Sequence, residues 1–351
     1  MSGVALLGLA LLGAAAVGVA TTEVPAEPER PNVLWVIIDD LRTALPQQLL
    51  AGAGDSANLT DPMPRLSQLA SDGGVVFRHA YCQVAVCAPS RTSFMSGRRP
   101  DALHIWSWES NFRQSLGTAA VSLPQHFKNN GYVALGSGKT FQPNFPPGYD
   151  APRSWSGDEV GLPYLPLAKD HCGCWTPPPP TGVAALTTAL APWAANPSGA
   201  KLSECGAPAG TADDELFDHA VASYAIEAMQ LAALRLARPF FVAAGLYRPH
   251  LPWRVPPHLD GAFATAGAAL PRAARRAPAG TPPIAWTDES FDQIVTRAEG
   301  PERNKGYISP VSAATARAAR AAYSAAAAWS DEQLGRMPRP YTMILTVNRS
   351  C

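Results

Sequence analysis

The chain has no excess of either charge. Its 28 lysine and arginine residues balance 28 aspartate and glutamate residues, so the formal net charge is zero. Proteins that bind nucleic acids or acidic membrane surfaces through charge carry a basic excess. No nucleic-acid partner is therefore expected, and function should come from a local site.

The N-terminal apolar run lacks the basic residues that usually precede a signal sequence. Val4 to Ala20 carries no charge, and the polar segment 21–30 follows it. This pattern predicts a signal peptide over residues 1–20 and no stable membrane span after its cleavage. A signal anchor is the alternative, because the run approaches the length of a membrane span. In either case the chain enters the secretory pathway, and we expect a lysosomal or secreted protein.

Six cysteines fit the oxidising environment of that pathway. We expect a disulfide between Cys205 and either Cys172 or Cys174. The sequons at Asn58 and Asn348 predict a glycoprotein, with Asn348 the weaker candidate because it lies near the end of the sequence.

At 351 residues and 47% hydrophobic composition, the chain can build one large α/β domain or two ordinary ones. Strand-like and helix-like segments alternate, which predicts a mostly parallel central sheet flanked by helices. The predicted strands are Val33–Ile38, Val75–Phe77, Tyr132–Gly136 and Phe240–Ala244, and the predicted helices begin near Pro64, Leu123, Thr211 and Ser312. The expected catalytic domain covers residues 31–337, with a loop-rich insertion at 150–210.

Residues 338–351 are harder to interpret and are expected to be an atypical tail. One alternative is that Thr342 to Arg349 forms a further strand with Asn348 and Arg349 at its end. Without such a strand, Val33–Ile38 or Phe240–Ala244 would lie near an unpaired sheet edge, which favours aggregation.

Two adjacent carboxylates, Asp39 and Asp40, end the first apolar run. Such a pair at the carboxyl end of a buried strand needs solvent or a cation, since both groups repel each other and lose hydration. A solvated loop or a helix cap is the alternative. A hard divalent ion such as calcium would suit these oxygen ligands.

Cys87 stands at the start of a short predicted helix, with Pro89 in its first turn and Gly97 at its end. Arg91 lies four residues later, on the same helix face. A thiol there would sit in the positive field of the helix N-terminus, beside a guanidinium group. The alternative is a structural cysteine, buried or paired with Cys82.

The segment from Cys87 through Pro89, Ser90 and Arg91 to the Gly-Arg-Arg-Pro-Asp sequence at 97–101 resembles the signature of the type I sulfatases. These are formylglycine-dependent members of the alkaline-phosphatase superfamily, and the sequence of this segment is most similar to their iduronate-2-sulfatase branch. The resemblance covers roughly residues 30 to 337 and implies that the C-terminal part of the family's domain is incomplete here.

The resemblance implies a sulfuric ester hydrolase acting on a sulfated sugar or polysaccharide. In it, Cys87 would be oxidised to formylglycine by the formylglycine-generating enzyme, and Arg91 would steady the modified residue. Asp39, Asp40 and residue 87 would hold one calcium ion.

The resemblance also assigns roles to residues after the next two strands. Lys139 and His250 would bind the sulfate, and His250 would help to protonate the leaving alcohol. Arg248 replaces a family lysine, and Gln142 replaces a histidine of the branch. Glutamine binds a ligand by hydrogen bonds but transfers no proton.

Two other functions remain open at this point. One is a phosphoester or phosphonate hydrolase of the same superfold. The other is a catalytically impaired pseudo-sulfatase, which Gln142 and the incomplete C-terminal part favour. On this second interpretation the 351-residue chain has little arylsulfatase activity.

Overall fold

The structure is a computed structural model of the chain. It describes residues 30–42, 61–77, 79–107, 110–143, 145–166, 168–169, 175–176, 216–236, 238–251, 253–259, 261–263, 279–282, 310–337 and 342–348. The chain divides into two compact units, residues 1–30 and 31–351, and the second contains every helix and strand given below. The predicted signal peptide, Asn58 and the cysteines at 172, 174, 205 and 351 lie outside the described residues.

Four parallel strands form the central sheet, in the order β2-β5-β1-β6. The strands are β1 (Val33–Asp39), β2 (Val133–Gly138), β5 (Phe240–Leu246) and β6 (Thr342–Asn348), with a separate antiparallel pair, β3 (Ala168–Lys169) and β4 (Trp175–Thr176). The helices are α1 (Pro64–Ser71), α2 (Cys87–Ser96), α3 (Pro100–Leu103), α4 (Phe112–Leu116), α5 (Leu123–Asn129), α6 (Gly157–Val160), α7 (Phe217–Gln230) and α8 (Ala313–Arg336). This architecture confirms the predicted fold class.

The central strands are buried on both faces. Every residue of β1 is buried, and its side chains alternate between two separate apolar clusters. Leu34, Val36 and Ile38 pack with α7 and α8, whereas Trp35 and Ile37 face the other cluster. Because burying one such side chain stabilises the fold by about 1.5–3 kcal/mol, a continuous apolar strand is favoured only where helices cover both sides.

The helices largely follow the sequence prediction. The helix predicted to run to about Leu236 is α7, which continues as a π-helical turn at Leu231–Arg235. The long alanine-rich helix is α8, whose N-cap Ser312 accepts a hydrogen bond from the backbone of Thr315. Among the described residues, no helix has the length and hydropathy that crossing a membrane requires.

Two sequence predictions about the sheet are wrong. Val75–Phe77 forms no strand, and the side chains of Val75 and Phe77 are 80% exposed. Three apolar residues after Gly74 favour a strand only if a neighbouring strand is available, and the described residues provide none. The concern about an unpaired edge is also wrong, because β6 covers β1 on one side and β5 covers it on the other.

The expected insertion at 150–210 begins inside the core. Trp155 is 1% exposed and Tyr164 is 9% exposed, and both belong to the cluster that contains Trp35. Lys128 fixes this segment by donating hydrogen bonds to the carbonyls of Pro152 and Trp155. Up to residue 166, irregular backbone therefore coexists with core packing.

Candidate active site

The cysteine motif lies at the start of α2, as the sequence predicts. Cys87 is the first helical residue, and Gly97 ends the helix in the left-handed conformation, with φ of 66°. The side chains of Cys87 and Arg91 are both fully buried. Cys82 and Cys87 do not form a disulfide with each other, which contradicts the alternative of a paired structural cysteine.

Arg91 joins α2 to the ends of two strands. Its Nη2 donates to Asp39 Oδ1 at 2.6 Å, and its Nη1 donates to the backbone carbonyls of Lys139 and Thr140. Asp39 ends β1, and Lys139 follows β2 directly. The guanidinium group thus fixes Cys87 relative to the carboxyl edge of the sheet.

Lys139 lies between Asp39 and Cys87. Its ammonium group forms an ion pair with Asp39 Oδ2, and its Nζ is 3.6 Å from Cys87 Sγ. Two glycines allow this placement, since a Cβ on Gly245 would lie 2.3 Å from the Lys139 carbonyl carbon and a Cβ on Gly138 would lie 2.2 Å from the Gly245 oxygen. The backbone N–H of Lys139 donates to that same oxygen at 2.8 Å.

His250 reaches the cluster from the loop that follows β5. Its Nδ1 lies 2.6 Å from the carbonyl oxygen of Leu251, so a proton on Nδ1 is the one that this contact favours. Its Nε2 then faces Asp40 Oδ2 at 3.8 Å. Ligand atoms of Asp39, Cys87 and His250 lie within 4.8 Å of one another.

The two aspartates differ in their electrostatics. Burial alone would raise the pKa of Asp39, but the charges of Arg91 and Lys139 outweigh it and hold this pKa well below its ordinary value. Burial, together with the negative charge of Asp39, raises the pKa of Asp40 to about 9. Although burial would lower the pKa of Lys139, the charge of Asp39 raises it. With Asp40 protonated, positive charge exceeds negative charge here, which suits an anionic ligand.

The donor set also suits a hard cation. Asp40 Oδ1 is buried and has no hydrogen-bond partner among the described residues. A divalent ion beside it would favour the ionised carboxylate and supply the missing partner. The strand register places Asn348 of β6 beside Asp39, at the same edge of the sheet. The residues present therefore fit a calcium ion.

Arg248 and Gln142 lie beside this cluster in sequence but have different surroundings. Arg248 donates from Nε to the carbonyl of Arg254 at 2.9 Å, and its guanidinium carbon lies 4.9 Å from the centre of the Tyr247 ring. These contacts shape the loop that carries His250. Gln142 follows Phe141, which belongs to the apolar cluster that contains Trp35. The buried Oε1 of Gln142 has no hydrogen-bond partner among the described residues.

Sequence reasoning missed Asp218, whose carboxylate binds the backbone of the loop that carries His250. Both oxygens of its buried carboxylate accept backbone N–H groups, from Tyr247 at 2.6 Å and from Arg248 at 2.9 Å. The Tyr247 ring in turn lies 5.1 Å from Lys139 Nζ and 4.7 Å from the His250 ring. An acid in the first turn of α7 was the available signal, but the sequence prediction started this helix at Thr211 instead of Phe217.

Helix α8 supplies a second set of supports that were missed. Ser330 Oγ donates to the carbonyl of Arg248 at 2.7 Å. The carboxylate of Asp331 accepts the backbone N–H groups of Arg65 and Leu66 at the start of α1. Glu332 contacts His258 Nε2 at 3.0 Å. Three consecutive residues of α8 therefore hold three different segments.

The part of the chain that carries this site is similar in sequence to known proteins. A family model described as Sulfatase matches residues 31–337. The chain belongs to the sulfatase family. Human iduronate 2-sulfatase is 30% identical over 338 residues, which cover 95% of this chain and 56% of that protein. Mouse iduronate 2-sulfatase is 34% identical over 227 residues, covering 64% of this chain and 36% of that protein.

This sulfatase-family chain spans about half the length, or less, of those curated relatives. Among solved structures, the phosphonate monoester hydrolase of Agrobacterium radiobacter is similar with a TM-score of 0.58 and 20% identity, covering 88% of this chain and 58% of that one. The likeness confirms the fold alone.

Proposed function

We propose that this chain is the catalytic part of a sulfatase that removes sulfate from a sulfated sugar or polysaccharide. The observation that carries the proposal is the position of Cys87 Sγ, fully buried at a helix start and 3.6 Å from Lys139 Nζ. A cysteine held beside Lys139 and Asp39 in this way is the precursor that a formylglycine nucleophile requires. The proposal includes modification by a formylglycine-generating enzyme before the chain folds, since the folded chain gives no access to this side chain.

The buried ion pairs orient the reacting residue. Arg91 fixes the helix that carries residue 87 against Asp39, and Lys139 presents its ammonium group to the same residue. Formylglycine at position 87 would supply the nucleophilic oxygen that displaces the ester alcohol from sulfur. Lys139, whose raised pKa keeps it charged, would stabilise the negative charge on the sulfuryl oxygens.

Asp39 and Asp40 would hold calcium, with Asn348 placed beside them by the register of β6. A calcium ion held there would supply Lewis acidity to the reaction. Asp40 contributes its buried Oδ1, which otherwise lacks a partner among the described residues. Asp39 contributes less freely, since both of its oxygens already contact a cation.

His250 is the residue suited to protonate the leaving alcohol. Its Nδ1 is held by the carbonyl of Leu251, so Nε2 is the nitrogen that takes up and releases a proton. Gln142 has no such capacity, and its amide would position the substrate. Arg248 would contribute positive charge from the loop behind His250.

The substrates to test are sulfated polysaccharides. Two relatives carry the name iduronate 2-sulfatase, and a relative from Formosa agariphila, 38% identical over 123 residues, is named an ulvan-active sulfatase. Heparan and dermatan chains sulfated on iduronate, and sulfated algal polysaccharides, are therefore the first choices. The secreted or lysosomal location that the N-terminal segment predicts would suit an enzyme that acts on such polysaccharides.

The test is turnover of a chromogenic sulfate ester by the full chain, produced through a eukaryotic secretory pathway. We expect turnover that chelator abolishes, calcium restores and Cys87→Ala removes, while the matched variant Cys82→Ala retains it. A phosphonate ester assayed in parallel addresses the rival hydrolase. Preferential cleavage of the phosphonate, or no turnover by a chain that carries formylglycine, would contradict the proposal; the second result would indicate a pseudo-sulfatase.

A further inference from the structure

The backbone at Asp40 is supported by a contact from outside its turn. Its φ is 61°, in the left-handed region that aspartate enters more readily than most residues. The hydroxyl of Tyr323, on α8, donates to the carbonyl oxygen of Asp40 at 2.5 Å and accepts the backbone N–H of Arg42 at 2.8 Å. One hydroxyl group therefore bridges both sides of the turn that follows β1.

The same tyrosine also contacts the loop that carries His250. Its ring packs edge-on against Trp253, with ring centres 5.8 Å apart and planes at 79°. Trp253 Nε1 donates to the carbonyl of Pro249, the residue directly before His250. Seven residues along the same face of α8, Ser330 donates to the carbonyl of Arg248.

We propose that Tyr323 is a positioning residue that sets Asp40 opposite His250. The inference rests on the proposed function, in which Asp40 holds calcium and His250 serves the leaving group. Asp40 Oδ2 and His250 Nε2 are 3.8 Å apart, and no hydrogen bond between these two side chains fixes that separation. Tyr323 supplies the constraint from outside, because its hydroxyl holds one turn and its ring holds the other.

The test compares Tyr323→Phe with Tyr224→Phe in the full chain. Both changes remove a hydroxyl that donates to a backbone carbonyl, since the Tyr224 hydroxyl donates to Leu162 at 3.0 Å within the core. Phenylalanine at position 323 keeps the ring against Trp253. The probe is calcium chloride, titrated by calorimetry, together with hydrogen exchange of the backbone amides at 39–42 and 247–251.

We expect Tyr323→Phe to raise the calcium dissociation constant about 3- to 10-fold and to speed exchange at 39–42, because both hydrogen bonds of the hydroxyl are lost. Tyr323→Leu, which also removes the ring from Trp253, should speed exchange at 247–251 as well. Tyr224→Phe should leave calcium affinity and both segments unchanged, although its thermal stability falls by a similar amount. Equal calcium affinity in Tyr323→Phe and the parent, with exchange at 39–42 unchanged, would overturn the inference.

Failure of the proposed function gives a different result. If the parent binds no calcium, the metal site of the proposed function is wrong, and exchange alone decides the role of Tyr323. Faster exchange at 39–42 in Tyr323→Phe, and at 247–251 as well in Tyr323→Leu, would still support it, whereas unchanged exchange at 247–251 in Tyr323→Leu would overturn it.

Discussion

The inner and outer halves of the site are stabilised in different ways. In the inner half, Asp39, Arg91 and Lys139 are at most 2% exposed and bind one another directly. In the outer half, the side chains of Asp40 and His250 are 16% and 22% exposed and lie 3.8 Å apart. The inner half is preorganised by its own charges, whereas the outer half is more exposed and depends on α7 and α8.

The largest effect is expected when the inner charges are separated. Asp39→Asn leaves Arg91 and Lys139 without their buried counter-charge, which should lower the unfolding free energy by about 3–5 kcal/mol. Asp40→Asn is the matched control in the outer half. Since the raised pKa of Asp40 indicates a neutral carboxyl, this change should cost about 1 kcal/mol or less.

Urea unfolding in chelator, which excludes effects of bound metal, measures this difference between the two aspartates. Equal losses for the two variants would mean that the inner half is not held by its charges.

The next largest effect is expected where the backbone of β5 lies close to the turn at Lys139. Gly245→Ala places a Cβ 2.3 Å from the Lys139 carbonyl carbon, so β5 or the Lys139 turn must shift, at a cost of about 2–3 kcal/mol. Gly335→Ala, in α8, meets only the Arg65 side chain at 3.1 Å. Alanine is favoured over glycine within a helix by about 1 kcal/mol, so this control should be neutral or stabilising.

Thermal unfolding and calcium titration of both glycine variants test this contrast. We expect Gly245→Ala to weaken calcium binding as well as stability, because it displaces Lys139 relative to Asp39. A Gly245→Ala variant as stable as Gly335→Ala would show that the two strands do not need their close approach.

The last contrast concerns pH, where the effect accumulates gradually over about two pH units. Burial raises the pKa of Asp331 to about 6, although the N–H groups of Arg65 and Leu66 oppose this shift. The folded state thus binds this proton more tightly than the unfolded state. The stabilisation is complete below about pH 4 and is lost as pH rises through about 6, by up to about 3 kcal/mol.

The pH dependence of stability has the opposite sign in the inner half, because the lowered pKa of Asp39 contributes stability that is lost only in strong acid. The unfolding free energy of the parent should fall as pH rises from 4 to 7. The unfolding free energy of Asp331→Asn should change less over the same range. Parallel pH profiles would show that Asp331 does not change its protonation in this range.

The inner half could be predicted from sequence, and the supports of the outer half could not. Cys87 and Arg91 share a helix face by their spacing, and Asp39 ends a recognisable apolar strand, whereas the family resemblance assigned Lys139. Tyr323 is 283 positions from Asp40, so no local pattern connects them. The apolar run at Val75–Phe77 misled for the same reason, because a strand depends on a neighbour that the local sequence does not specify.

Formation of β6 shows the same limit. Its seven residues are apolar enough for a buried strand, but only the register, with Asn348 beside Asp39, reveals that it completes the edge where the site lies. The sequence alone left this segment open between a tail and a strand.

The most direct test of the central claim is the mass of the tryptic peptide that ends at Arg91. This peptide begins after Arg78 and contains both Cys82 and Cys87, so it carries its own control. From a host with an active formylglycine-generating enzyme, we expect an aldehyde at position 87 and an ordinary thiol at position 82. Thiols at both positions would contradict it.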